Sequence, residues 1–116
     1  IFVREGYNTH TEIPITFTQA ALGAEIEVPT IDGPYKYQIK EGTQPGDSFT
    51  IRGKGIPYLN RNNVRGDHIF RVVLEVPRHL NDEQKEILQQ FDETCTDKNY
   101  QKRGSFFSKI KDFFGK

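Results

Sequence analysis

The stretch FTQAALGAEIEVPTIDG, residues 17–33, decides the fold of this chain because it holds a helical turn, a strand and a hairpin turn in succession. Thr18 is a residue type that caps helices, and the alanines and leucine that follow it favour one or two helical turns. Gly23 can supply the positive φ that ends such a helix. The stretch therefore predicts a short internal helix that leads directly into a strand.

A β-hairpin is predicted over residues 24–40. Apolar residues alternate with glutamates from Ala24 to Val28, which is the period of a strand with one buried face and one wet face. The dipeptide Asp32-Gly33 follows, and it favours a two-residue turn with positive φ. The alternating tyrosines and isoleucine that come next complete the second strand of the hairpin.

Three further strands are predicted around the hairpin. Residues 10–17 alternate, and Pro14 cannot donate to a ladder, so this strand lies at an edge or has its proline side unpaired. Residues 49–52 form a short strand after a turn-rich segment. Residues 67–76 form the longest strand, apolar on one face and mixed on the other, which indicates a central position.

The C-terminal part is predicted to be helical. Asn81 caps a helix whose acidic first turn suits the helix dipole, and this helix ends near Glu93. Residues 94–104 are polar without a period and predict a flexible tether. Ser105 is predicted to cap a last short helix. The apolar stripe of that helix comprises Phe106, Phe107, Ile110, Phe113 and Phe114.

So short an aromatic helix is marginal alone in water, and its stripe needs a surface on which to pack. Three surfaces remain open: its own domain, a second subunit, or a membrane. A membrane is the weakest of these, because only two lysines flank the stripe and the chain has no net charge. A second subunit is favoured, which predicts a homodimer.

Length and charge set broad limits on the protein. A chain of 116 residues with 34% apolar content fits one small domain with a polar tail. Sixteen basic and sixteen acidic side chains cancel, so no net field attracts nucleic acid or an anionic membrane. The sequence contains no methionine and opens on Ile-Phe-Val, which suggests a piece of a longer protein.

Neither a signal peptide nor a membrane-spanning run of apolar residues is indicated. The lone cysteine, Cys95, has no partner for an internal disulfide and no metal-ligand spacing, which is typical of a helix-end residue in a reducing cytoplasm. A cytoplasmic location is therefore expected.

No catalytic constellation is indicated, so the chain is expected not to be an enzyme. The histidines lack metal-site spacing, and solvated or strand-capping roles are expected for His10, His68 and His79. Two glycines around Lys54 lack the spacing of a phosphate loop. Glu25 and Glu27 lie on a wet strand face rather than in a glycosidase dyad.

A local basic cluster keeps a contact with RNA open as an alternative function, although no stacking platform accompanies it. Its members are Arg52, Lys54, Arg61 and Arg65, with Tyr58 between them.

Seven segments, in order and at fitting spacings, resemble the second C-terminal client-binding domain of the bacterial DnaJ co-chaperones of class A. They are Pro14–Phe17, Gln19–Gly23, Ile26–Gly33, Gly42–Gln44, Arg52–Pro57, Gly66-Asp67 and Glu75–Pro77. The tail from Ser105 to Phe114 is similar to the dimerisation segment of that family. The resemblance covers nearly the whole chain.

The resemblance implies a mainly β fold: a small two-sheet β-sandwich with one short internal helix and C-terminal helices. Residues 1–9 then form a link, residues 10–80 the client-binding domain, and residues 81–116 the dimerisation helices and tether. It also implies a stress-response co-chaperone that binds unfolded polypeptide, homodimerises and delivers clients to a DnaK-type chaperone. The His-Pro-Asp motif and the zinc modules of the family do not occur in this sequence, so neither ATPase stimulation nor a zinc cofactor is expected from it.

By similarity to the sister domain of the family, the candidate client-binding residues are Ile13, Ile15, Ile26 and Val28, although these side chains also suit a core. Candidate dimerisation residues are the five apolar residues of the tail stripe. Two other functions stay open: a dimerisation module without a client site, and a nucleic-acid-binding β module.

Overall fold

The computed structural model describes residues 1–59, 61 and 63–115. Asn60 and Asn62 belong to the predicted client-binding domain, residues 10–80, and Lys116 to the predicted dimerisation part, residues 81–116. These three residues lie outside the described residues. The chain divides into two compact units, Ile1–Pro77 and Arg78–Lys116. Its elements in chain order are β1 (Val3–Glu5), β2 (Asn8–Thr16), α1 (Phe17–Leu22), β3 (Ala24–Thr30), β4 (Gly33–Ile39), β5 (Ser48–Ile51), β6 (His68–Glu75), α2 (Asp82–Thr94) and α3 (Gln101–Phe114).

The larger sheet of the first unit has the order β1-β2-β6-β5. β2 and β6 run parallel, with Thr9 opposite His68 and Thr16 opposite Glu75, while the other pairs are antiparallel. The central position predicted for β6 is confirmed, since it lies between β2 and β5. The prediction that it is the longest strand was wrong, because β2 has 9 residues and β6 has 8.

β1 lies within the residues predicted to form a link. It pairs with the start of β2, with Val3 opposite His10 and Glu5 opposite Asn8. The turn between the two strands has Gly6 at φ 62°, a conformation that glycine adopts without strain. β2 accordingly begins two residues before its predicted start at residue 10, and it ends one residue before residue 17.

The smaller sheet is the predicted hairpin of β3 and β4. Its register pairs Thr30 with Gly33, so the two loop residues are Ile31 and Asp32 rather than Asp32 and Gly33. Thr30 fixes this loop, because its Oγ1 donates to the Gly33 carbonyl at 2.7 Å and accepts from the Asp32 N–H at 3.2 Å. The hairpin is thus confirmed, while its predicted turn was one residue late.

The core lies between the two sheets. Its buried apolar side chains are Ile15, Ala20, Ile26, Val28, Ile39, Ile51, Phe70 and Val72. Aromatic rings join the sheets, since Tyr37 of β4 meets Phe70 of β6 edge-on at a centroid distance of 5.1 Å. Phe49 of β5 stacks on the same Phe70 ring at 5.1 Å. The predicted fold class, a mainly β two-sheet sandwich with a short internal helix, is confirmed.

α1 connects the two sheets, and its cap differs from the predicted one. The cap is Thr16 rather than Thr18, because Thr16 and Gln19 form a reciprocal capping box with distances of 3.1 and 3.0 Å. Gly23 ends the helix at φ 77°, and a Cβ atom there would lie 2.9 Å from the Ile39 carbonyl oxygen. A larger residue would therefore push β3 and β4 away from the helix.

The second unit contains two helices. α2 begins as predicted, with Asn81 and Gln84 forming a capping box. It ends at Thr94, and the N–H of the C-cap residue Cys95 donates to the Asp92 carbonyl. α3 begins at Gln101, so the predicted cap at Ser105 was wrong.

The polar segment before α3 is therefore shorter than the predicted tether. The reason is that Gln101, Lys102 and Arg103 are good helix formers, which outweigh Gly104. Among the residues that the structure describes, no helix has the length and apolar character needed to cross a membrane.

Candidate functional site

Three of the four predicted client-binding side chains lie in the core. Ile15, Ile26 and Val28 are buried, and Ile13 packs against the same cluster while partly exposed. The alternation of these residues therefore belongs to the inward faces of β2 and β3. Because Val28 is 0% exposed, a client cannot contact its side chain unless the sandwich opens. The accessible parts of these strands are their backbone edges.

One backbone edge of β2 is largely unpaired. The Thr9 N–H donates to the Asp67 carbonyl beside β6, so odd-numbered residues of β2 direct their backbone groups toward β6. Even-numbered residues point toward the opposite edge. β1 covers that edge only as far as His10. β2 lies between β1 and β6, but in the described chain no strand pairs with this edge beyond His10, so of the two predicted alternatives the unpaired proline side is the one found.

The unpaired segment of β2 offers few hydrogen-bond donors. Pro14 has no N–H, and the Thr16 N–H donates to Oε1 of Gln19 at 3.0 Å. Only Glu12, among the described residues 11–16, directs an uncommitted N–H to this edge. Such a donor-poor edge is a device by which proteins discourage strand addition.

The outer edge of β3 is richer in donors. Pro29 of β3 lies opposite Pro34 of β4, and since neither has an N–H, they occupy a pair without ladder hydrogen bonds. Alternation then directs the backbone N–H and carbonyl groups of Glu25 and Glu27 away from β4. In the described chain β3 pairs with β4 alone. β3 therefore presents two N–H donors and their carbonyls along one accessible edge.

The predicted dimerisation stripe is exposed along α3. Its side chains range from 37% exposed at Ile110 to 78% exposed at Phe113. Phe106 and Phe107 contact each other edge-on at 5.3 Å, and the Arg103 guanidinium lies 4.7 Å from the Phe107 ring centre. Neither α2 nor α3 contains a buried residue. The stripe of α3 is thus an exposed apolar surface, a feature that often marks an interaction site.

Two members of the basic cluster make contacts within the protein. Arg65 donates to Asp32 and also to the Gly55 carbonyl, at 3.1 Å from Nε and 2.8 Å from Nη2. The hydrogen bond from Arg65 lowers the pKa of Asp32 below its usual value. Lys54 Nζ lies 5.9 Å from the Tyr35 ring centre. Arg65 therefore joins the hairpin loop to the loop before β6, a role that sequence patterns do not reveal because the partners are 33 residues apart.

The three histidines are far from equivalent. His10 lies 3.6 Å from Glu5, and His79 follows β6 with φ 56°. His68 is completely buried, so the predicted solvated role was wrong for it, although it does stand at the start of β6. Its place in β6, two residues before Phe70 on the same face, was the signal in the sequence. In the described chain, no three His, Cys, Asp or Glu residues are grouped so that they could hold a metal ion.

Two family models match the chain. Residues 1–77 match the DnaJ C terminal domain, and residues 83–116 match the Chaperone protein DnaJ C-terminal region. The first match alone spans the whole β unit, including β1.

Bacterial relatives named Chaperone protein DnaJ are similar over the same length. The chain is 55% identical over 114 residues to that of Ruminiclostridium cellulolyticum, which covers 98% of this chain and 30% of the relative. It is 56% identical over 115 residues to that of Acetivibrio thermocellus, which covers 99% of this chain and 30% of the relative. For Clostridioides difficile the identity is 49% over 116 residues, with coverage of 100% and 30%. The chain thus spans less than a third of the length of these relatives, and it belongs to the family of DnaJ C-terminal domains.

Proposed function

We propose that this chain binds extended, unfolded polypeptide along the outer edge of β3 and homodimerises through α3, as part of a cytoplasmic DnaJ-type co-chaperone. Membership of the DnaJ C-terminal family supports a chaperone role. The observation that carries the client proposal is the accessible β3 edge at Glu25 and Glu27. Delivery of clients to a DnaK-type chaperone belongs, in this proposal, to parts of a longer protein outside this sequence.

Strand addition suits a chaperone because backbone hydrogen bonds recognise an extended segment of nearly any sequence. Of the edges of β2 and β3, which carry the predicted client-binding residues, that of β3 is the better acceptor for a client. It directs the N–H groups of Glu25 and Glu27 outward, whereas β2 beyond β1 directs only that of Glu12. Glu25 and Glu27 also expose carboxylates beside the edge. These charges favour clients whose apolar segment is flanked by lysine or arginine.

The decisive variant is Glu27→Pro, which removes an outward N–H and places a ring where a client strand would bind. Pro29 already occupies the equivalent outward position two residues later, so the strand tolerates the substitution. We expect the affinity for a fluorescent, unfolded peptide with apolar residues and lysine flanks to fall about ten-fold or more. Fluorescence polarisation measures this affinity directly.

A matched control lies directly across the hairpin. Lys36 is opposite Glu27 and directs its backbone to the outer edge of β4. Lys36→Pro therefore carries a similar stability cost, which thermal melting of both variants checks, and it should leave peptide affinity unchanged. Equal binding by Glu27→Pro and the unsubstituted protein contradicts the β3 edge as the client site. No binding by any form favours a dimerisation module without a client site.

Dimerisation is proposed because α3 exposes five large apolar side chains and has no buried residue. Each phenylalanine buried contributes about 1.5–3 kcal/mol, so a few of them suffice to hold two subunits together. A dimer also presents two client-binding edges on one particle. Linked weak sites raise the effective concentration of the second site and so gain avidity without any new contact.

The nucleic-acid alternative has less support. Arg65 is engaged by Asp32 and Gly55, which leaves Arg52, Lys54 and Arg61 of the predicted cluster for a phosphate backbone. Binding to single-stranded RNA combines a charged groove with a series of stacking aromatic rings. Tyr58 stacks instead on Tyr7 at 4.1 Å within the protein. Retention on RNA that falls steeply with salt is the result that would revive this alternative.

We further propose that the chain works without zinc or nucleotide. Cys95 is the single cysteine of the sequence, and structural zinc sites need several thiolate or imidazole ligands together. We expect elemental analysis of the purified chain to return far less than one zinc per subunit. One zinc per subunit, retained through dialysis against a chelator, is the contrary result.

A further inference from the structure

His68 is a buried polar residue with one unsatisfied nitrogen. The side chain is 0% exposed, and its Nδ1 lies 2.7 Å from the Thr9 hydroxyl oxygen. Its Nε2 is buried without a hydrogen-bond partner in the described chain. An unpaired buried polar atom is destabilising, whereas the same atom in contact with water is not. The ring would therefore gain hydration if its surroundings opened.

The element that covers this ring is weakly held. Phe2 packs edge-on against His68 with ring centres 5.7 Å apart, and the three residues of β1 that follow are all exposed. β1 pairs on one side only, at the outer edge of the sheet, and Gly6 provides a flexible turn behind it. We name Phe2 and β1 together the N-terminal strap, residues 2–5. Short exposed edge segments of this kind open at far lower free energy than a core strand.

Opening of the strap is coupled to proton binding. Burial lowers the pKa of His68 from its usual value of 6.5, and the nearby His10 lowers it further. When the strap is open, the hydrated ring binds a proton more readily than when it is closed. The open state therefore holds more protons as the pH falls through 6.5, so acid weakens closure and alkaline conditions restore it.

Other titratable groups on the adjacent elements must be separated from His68. They are Arg4 and Glu5 in β1, His10 and Glu12 in β2, Arg71 in β6, and Asp67 in the loop before β6, while β5 contributes no charged residue. Glu12 and Arg71 pair with each other at 2.7 Å. Glu5 Oε2 lies 3.6 Å from His10 Nε2 between β1 and β2, so this contact needs a variant of its own.

We propose that the N-terminal strap is a proton-released cover over His68: it closes over the neutral imidazole and opens when that imidazole takes up a proton. The proposal concerns the movement of residues 2–5 alone and stands apart from client binding. If the β2 edge also receives clients, release uncovers the backbone of Asn8 and His10 and lengthens the accessible edge. This lengthening is separate from the proposed function, which places clients at the edge of β3.

Amide hydrogen exchange measured by NMR tests the proposal on the whole chain. The amides of Val3 and Glu5 report on the strap, and those of Phe70 and Val72 in β6 report on global unfolding. After correction for the intrinsic pH dependence of exchange, we expect strap opening to increase several-fold between pH 7 and pH 5.5, with ten-fold per pH unit as the limit for one proton. Protection of the β6 amides should fall much less.

Two histidine variants assign the effect to one ring. His68→Phe keeps an aromatic ring but removes the titration, so strap exchange should become independent of pH. His10→Gln removes the contact with Glu5, so an acid response that persists in this variant does not come from His10. A strap that is unaffected by pH in the unsubstituted protein overturns the proposal, and so does an acid response that survives in His68→Phe or disappears in His10→Gln.

Phe2→Ala provides a test that does not depend on the folding of a core variant. It uncovers the imidazole without changing a core residue. We expect the His68 ring protons to titrate closer to pH 6.5 than in the unsubstituted protein, and the strap amides to exchange fast at every pH. An unchanged titration of His68 in Phe2→Ala shows that Phe2 does not cover the ring, which overturns the proposal even if His68→Phe fails to fold.

Discussion

Removal of residues 101–116, which contain α3, is expected to convert the protein from a dimer into a monomer at tens of micromolar. The helix exposes Phe106, Phe107, Ile110, Phe113 and Phe114 and has no buried residue, so deletion removes apolar surface without opening a core. Sedimentation velocity separates the two masses. Circular dichroism should show that the β unit, which has its own core, keeps its structure.

Single substitutions make this prediction quantitative. In a two-fold symmetric interface each substitution acts twice, so Phe107→Ala loses about 3–6 kcal/mol if each ring contributes about 1.5–3 kcal/mol. That loss corresponds to about a 100-fold to 10,000-fold weaker dimer. The matched control is Lys109→Ala, which changes a polar position of the same helix and should shift the dimer constant less than three-fold.

Two outcomes contradict dimerisation through α3. If both the full chain and the truncated chain sediment as monomers at tens of micromolar, the stripe does not join subunits. The same conclusion follows if the full chain is a dimer and remains one after truncation. In the first case, packing of the stripe on its own domain or on a membrane becomes the explanation to test, with a protease-protection assay in the absence and presence of lipid vesicles.

Local patterns predicted most of the secondary structure. The hairpin of β3 and β4 follows from strict alternation around a turn, and the central position of β6 follows from its apolar residues on both faces. Asn81 was recognisable as the cap of α2 because an acidic first turn accompanies it. In each of these cases the information lies within about a dozen consecutive residues.

Features that depend on residues far apart in the chain were not predicted from the sequence. The parallel pairing of β2 with β6 joins residues 59 positions apart. His68 was misjudged because histidine is polar, although its strand position is inward. The Arg65–Asp32 pair links two loops whose proximity follows only from the complete fold.

The candidate client-binding residues show the same limit of prediction from local sequence. Alternating isoleucine and valine predict an apolar face, but periodicity alone does not say whether a second sheet covers that face. In the structure the apolar faces of the two sheets share one core, so these side chains are covered. What the sequence did indicate correctly is the importance of proline, since Pro14 and Pro29 decide which backbone groups remain available at the two edges.

The double variant Ile26→Ser, Val28→Ser is expected to unfold the β unit. Both side chains are buried, at 8% and 0% exposure, between the two sheets. Truncation of a buried aliphatic side chain costs about 2–5 kcal/mol, and an unpaired buried hydroxyl adds about 1–3 kcal/mol. Two such losses match the whole stability of a typical small domain, which is about 5–15 kcal/mol.

The control lies on the opposite face of the same strand. Glu25→Ser, Glu27→Ser changes two exposed side chains but leaves their backbone groups in place. The free energy of unfolding measured in urea should therefore change by less than about 0.5 kcal/mol. Peptide binding should also persist, with weaker preference for lysine-flanked sequences. If the Ile26→Ser, Val28→Ser variant instead keeps its urea midpoint and loses peptide binding, these side chains form the client pocket, and the backbone edge of β3 is not the site.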